Sequence, residues 1–277
     1  MSTKRTEAAH LRASLDAALK RRAGRGHRRV EASELLAPPA PPAVTPPPSP
    51  APTEQSAEVA LAPPAPRRPE VEGLETQREL AAKAADLEAL EGAVAGCEAC
   101  DLCKTRAQTV FSDGTTSSGV MFIGEAPGAD EDAQGVPFVG RAGQFLTRII
   151  EKGMGVDRSE VYIANVLKCR PPDNRDPKVE EKALCAAWLD RQIELVNPRV
   201  IVALGRHAAV HLTGKDQSMG RLRGQVHRVA GRPIVPTYHP SYLIRQEGSS
   251  SFVRTKKLVW EDIQLAMREA DLDPEPK

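Results

Sequence analysis

Hydrophobic and polar positions divide the chain at about residue 74. Beyond it, short apolar runs alternate with longer segments whose apolar residues recur every three or four positions. The runs at 120–123, 161–166, 200–204 and 234–237 are rich in Val and Ile, which predicts four buried strands. Segments 142–152, 179–196, 206–212 and 253–270 are predicted helices. Another helical stretch precedes them at 74–94, with Leu80, Leu87, Leu90 and Val94 broadly on one face. This alternation implies an α/β fold of three layers, α/β/α, around a central, mainly parallel four-stranded sheet. Functional loops are expected at the carboxyl ends of its strands.

The first 73 residues read differently. Residues 1–36 form a basic arm in which Leu11, Leu15 and Leu19 recur at helical spacing before the run KRRAGRGHRR at 20–29. A free helix this short is marginal in water, so the arm is expected to be largely disordered, available to a protein partner or to nonspecific nucleic acid. Residues 37–73 are Ala/Pro-rich: 13 of the 24 prolines lie from Pro38 to Pro69, and no aromatic residue offers a core. They are expected to form an extended linker. The folded domain is then 74–271, with a disordered end at 272–277.

The net charge of +1 conceals an asymmetry. Residues 1–68 hold 11 Lys+Arg against 6 Asp+Glu, and the remainder 27 against 31, so a nucleic-acid contact by the body needs a local basic face. No apolar run approaches the ~18–20 residues of a membrane span, and no apolar stretch marks a secretion signal. A cytoplasmic protein without membrane association is expected.

Chemistry-bearing residues gather where the strands end. After the first strand comes GEAPGADEDAQGVPFVGRAG at 124–143, holding Gly124, Glu125, Ala126, Glu131 and Phe138; alone it reads sooner as a solvated acidic connection than as a site. Asn165 closes the second strand before KCRPP at 168–172, and Gly205 follows the third. His239 begins HPSYLIR after the fourth. Phe138 suits core packing or stacking on a base, and a buried Asn165 needs a partner in backbone or ligand. A lone His such as His239 is commonly an ordinary core or surface residue. Convergence on one sheet edge favours a site.

Five cysteines, at 97, 100, 103, 169 and 185, lie in a chain without an export signal, which points to thiols or a metal centre. Cys97, Cys100, Cys169 and Cys185 suit either tetrahedral zinc or an iron–sulfur cluster, and spacing alone does not separate these.

GEAPGxxED, PFVGRAGQ, VYIANVLKCRPPxNRxP, C-x2-WL and HPSYLIR, in that order, resemble the family 4 uracil-DNA glycosylases, the iron–sulfur class. The resemblance covers about 96–270. It implies a [4Fe–4S] cluster on Cys97, Cys100, Cys169 and Cys185, leaving Cys103 over. Phe138 matches the aromatic that stacks on flipped uracil, Asn165 the amide that reads the base edge, and His239 the histidine at uracil O2. Glu125 and Glu131 match acidic positions tied to water placement and to the pocket near C5, with Gly124 and Ala126 on the same wall. Ala126 stands where better-known uracil-DNA glycosylases carry aspartate, so Glu125 is the inferred water-orienting group. Arg170, Arg175, Ser241 and Arg245 are the candidates for DNA contact. The stretch 170–178 lacks the reactive His of the related covalent uracil-DNA binders.

The resemblance thus implies a monofunctional, monomeric enzyme, cytoplasmic and nucleoid-associated, that hydrolyses uracil from uracil-containing DNA in base-excision repair. Two rivals are an iron–sulfur protein that binds uracil or damage without cleavage, and a glycosylase acting also on deaminated purines.

Overall fold

A computed structural model describes residues 71–272. The basic arm, nearly all of the Pro-rich linker and residues 273–277 lie outside the described residues.

Where one helical stretch was expected at 74–94 there are two helices, α1 (Leu74–Lys83) and α2 (Leu87–Ala95). Asp86 divides them: its side chain caps α2 by accepting the Ala89 N–H at 2.8 Å. The break changes the buried face of α1, which consists of Leu74, Gln77 and Ala81, while Leu80 is exposed.

The sheet follows as β1 (Val120–Gly124), β2 (Tyr162–Asn165), β3 (Val200–Leu204), β4 (His227–Val229) and β5 (Arg232–Thr237), in the order β2-β1-β3-β5-β4. The four expected strands are β1, β2, β3 and β5, and all pair in parallel. A fifth, the three-residue β4, adds an antiparallel edge against β5. Alternation along β1 separates two cores. Val120 and Phe122 pack with Phe145, Leu146, Val259 and Ile263 on one face. Met121 and Ile123 pack with Leu189, Ala208 and Ala209 on the other. These partners come from α4 (Arg141–Arg148) and α9 (Ser251–Glu269) on the first face, and from α5 (Val179–Val196) and α6 (Arg206–Thr213) on the second. That is the expected three-layer arrangement.

Register delivers the site residues to one rim. Gly124 lies beside Asn165, and Leu204 beside Thr237, so the four parallel strands end together. The connections leaving that rim contain two short helices not anticipated, α3 (Ala129–Gln134) and α8 (Pro240–Arg245), while α7 (Met219–Leu222) lies before β4. No helix among the described residues is long and apolar enough to cross a membrane.

Candidate active site

A cleft of about 850 Å³ opens at this rim, within the usual size range for a ligand site. Glu125, Ala126, Glu131, Phe138, Asn165, Arg175, His239, Ser241 and Arg245 line it; Gly124 does not, but is packed against Phe138 and Asn165 at the end of β1. Arg170 does not; its Nε donates to Asn174 Oδ1 at 2.9 Å.

Phe138 is buried in a left-handed backbone conformation, φ 55°, unusual for a bulky residue and worth ~1–3 kcal/mol of strain. Three anchors hold it there. On one side Arg158 donates from Nη2 to the Pro137 carbonyl at 2.8 Å. On the other, Glu131 Oε1 accepts the Val139 and Gly140 N–H groups at 3.0 and 2.9 Å. Gly143 supplies the third condition, since a Cβ there would lie 1.7 Å from the Phe138 carbonyl oxygen. Glu131 Oε2 also accepts the Gly128 N–H at 3.0 Å. Both oxygens of Glu131 are therefore engaged by backbone, which gives it the geometry of a brace beneath Phe138.

Asn165 is 2% exposed, and its Oδ1 is buried without a hydrogen-bond partner. A polar atom left so in a cleft wall is costly unless something supplies a donor. Behind it, the buried ammonium of Lys168 donates to the Asn165 carbonyl at 2.7 Å and to Gln192 Oε1. Burial lowers the Lys168 pKa to about 8.

His239 caps α8, with Nδ1 accepting the Ser241 N–H at 3.2 Å and lying 2.8 Å from Ser241 Oγ. Since Nδ1 accepts, a neutral ring carries its proton on Nε2. Burial, aided by the Arg245 charge, pushes its pKa down to about 4, so the ring is neutral at pH 7. Its centroid is 5.7 Å from that of Phe138.

Glu125 sits opposite, its Oε1 buried without a hydrogen bond. Desolvation raises its pKa against the lowering influence of His207. His207 Nδ1 is 3.5 Å from Glu125 Oε1, and Asp176 Oδ1 is 3.9 Å from His207 Nε2. The sequence reading named neither residue. His207 stands two positions past Gly205, on the same rim, and that was the available signal.

Arg175 is committed elsewhere than expected: its guanidinium grips Glu181, with 2.9 Å from Nη1 to Oε2, and Glu181 is buried. Arg245 is free of carboxylate pairing among the described residues and reaches Ser241 Oγ at 3.3 Å.

Behind Ala126 lies a small apolar hollow lined by all five cysteines, Cys103 included. Cys97 and Cys100 follow α2, Cys169 follows β2, and Cys185 is on α5. Burial pushes the Cys100 and Cys185 thiols up to about 11 and about 12. Yet two donors aim at sulfur: Arg106 Nη1 at Cys169 Sγ (3.1 Å) and the Lys168 N–H at Cys185 Sγ (3.3 Å). Thiols gathered in a dry hollow, with N–H groups directed at two of them, fit a thiolate-held metal centre, whose charge would reverse the effect of burial.

Residues 111–264 match the uracil DNA glycosylase superfamily. The type-4 uracil-DNA glycosylase of Thermotoga maritima is 42% identical over 182 residues, 65% of this chain and 92% of that protein. The type-4 enzyme of Archaeoglobus fulgidus is 40% identical over 178 residues, covering 60% and 89% respectively. A type-5 uracil-DNA glycosylase of Pyrobaculum aerophilum is 32% identical over 177 residues, covering 58% and 74%. The chain therefore belongs to the uracil-DNA glycosylase superfamily and, within it, to the type-4 enzymes.

Proposed function

We propose that this uracil-DNA glycosylase draws a flipped uracil between Phe138 and the His239 side of the cleft and hydrolyses its N-glycosidic bond with water. The observation that carries this reading is the unpaired, buried Oδ1 of Asn165 beside Gly124 and Phe138. A uracil edge supplies the missing N3–H donor and accepts at O4 from the amide N–H; cytosine offers the reverse pattern and leaves buried groups unpaired. Flipping costs a few kcal/mol, offset by stacking on Phe138 and by those hydrogen bonds.

Bond cleavage leaves negative charge on the uracil and positive character on the sugar. Neutral His239, donating through Nε2, stabilises the charge at O2; one such donor is typically worth ~3–4 kcal/mol. Glu125 orients the attacking water and faces the cationic sugar. Glu131 acts as a positioning residue, holding Phe138 and thereby the shape of the pocket near C5. Arg245 contacts phosphate beside the Ser241 hydroxyl, and Arg170 contacts it from outside the cleft, whereas Arg175 braces the 170–178 loop. The enzyme acts as a monomer on DNA in the cytoplasm, at the nucleoid.

We assign a [4Fe–4S] cluster to Cys97, Cys100, Cys169 and Cys185, supported by the shared hollow, the N–H donors on two sulfurs and the similarity to the type-4 enzymes. When bound, the cluster ties 97–100 to 169 and 185, a structural role. Incubating the protein with a uracil-containing oligonucleotide tests the reading: free uracil and an abasic site are expected, and tight uracil-dependent binding without release would replace it with the binding-only rival. Hypoxanthine and xanthine substrates separate a broader glycosylase.

A further inference from the structure

Glu125 has a difficult position for the work assigned to it. Its Oε1 is buried and receives no hydrogen bond, and burial disfavours its ionised form. A water-orienting carboxylate must nonetheless be charged and held in one direction. The titratable and charged groups facing it are His207 from α6, Asp176 from the 170–178 loop and Lys182 from α5; His239 and Glu131 line the same cleft. Of these, His207 approaches Glu125 directly, with Nδ1 3.5 Å from Oε1.

The backbone makes this approach available. Gly205, at φ 87°, turns the chain from β3 directly into α6, and a Cβ there would meet His239 Cβ at 3.1 Å. One turn thus seats His239 and presents His207 to Glu125 within a few residues. The imidazole has a second carboxylate behind it, Asp176, 3.9 Å from Nε2 and exposed to solvent. A ring between two carboxylates is oriented by the outer one toward the inner one, the same logic by which an aspartate orients a histidine in hydrolase triads.

We propose that His207 is a positioning residue for catalysis: backed by Asp176, it directs an N–H at Glu125 and keeps that carboxylate ionised and aimed at the reacting sugar and water. This rests on the glycosylase reading above. Nothing is transferred covalently. His207 touches neither base nor sugar and acts only through Glu125.

The test is single-turnover uracil release by full-length wild type, His207→Phe and His207→Gln across pH, with KM and melting temperature measured in parallel. Wild-type activity checks the glycosylase reading separately. For H207F we expect kcat about 10-fold lower, little change in KM, and an acid limb displaced to higher pH, because the influence that lowers the Glu125 pKa is gone. H207Q, which keeps an N–H but no charge, should recover part of kcat while retaining the displaced limb. Active wild type with unchanged kcat and acid limb in both variants would overturn the proposal. So would a loss confined to KM. Should H207F fail to fold, the displaced limb in H207Q still decides.

Discussion

A methyl group on Gly124 would stand 2.5 Å from Phe138 Cζ and 2.4 Å from Asn165 Oδ1, closer than real side chains pack. The end of β1 is thus bare because the Phe138 ring and the Asn165 amide both occupy the space a side chain would take. Gly124→Ala should lower uracil release about 100-fold, the scale of loss from a displacement near 1 Å, while the melting temperature falls only modestly. Excision kinetics beside a thermal melt check this; wild-type rates would show that the ring and amide tolerate displacement.

His239 is held neutral by burial, and two consequences follow for pH. Its donor role should persist unchanged from pH 8 to about 5 and weaken only as pH approaches about 4. Stability moves in the same sense. The unfolded chain takes up this proton near 6.5 and the folded one near 4, so its contribution becomes progressively destabilising as pH falls through that window. His239→Gln should flatten that part of the stability curve and lower kcat about 100- to 1,000-fold. Denaturant melts at pH 7 and 4.5 measure the first effect.

Much of this was legible in the chain, for physical reasons. Apolar runs of β-branched residues exposed β1, β2, β3 and β5, and the long periodicity of 179–196 matched α5 end to end. β4 escaped because His-Arg-Val is too short and too polar to read as a strand. Leu80 was assigned to a buried face because the break at Asp86 resets the helical phase. Site residues appeared wherever they ended a strand. Arg158 did not, because it reaches Pro137 across 21 positions and leaves no local pattern. Glu131 was seen as a residue of the pocket near C5, but its bracing contacts were not; its place three residues after Gly128, where a side chain returns to the first backbone N–H groups of a helix, was the sign of them.

The basic residues near the cleft should separate in salt titrations. Arg245→Ala should weaken DNA binding more at low salt than at high salt, reducing the dependence of affinity on salt by about one phosphate contact. Arg175→Ala should leave that dependence nearly intact and instead lower the melting temperature, since buried Glu181 loses its guanidinium partner and keeps only the Lys178 N–H. A reduced salt slope for R175A would assign it to DNA after all.

The cysteines give an optical test. Anaerobically purified protein should absorb near ~400 nm, and Cys185→Ser should bleach that band and lower the melting temperature, since cluster binding and folding are linked. Cys103→Ser should retain both. A colourless wild type containing zinc would contradict the cluster.

The central claim is that Asn165 reads uracil for excision, and one measurement bears on it most directly: single-turnover release from matched uracil- and cytosine-containing oligonucleotides by wild type and Asn165→Asp. Wild type should release uracil alone. The variant, presenting an ionised acceptor where uracil O4 requires a donor, should lose at least about 100-fold on uracil. Uracil release undiminished in N165D would contradict the account.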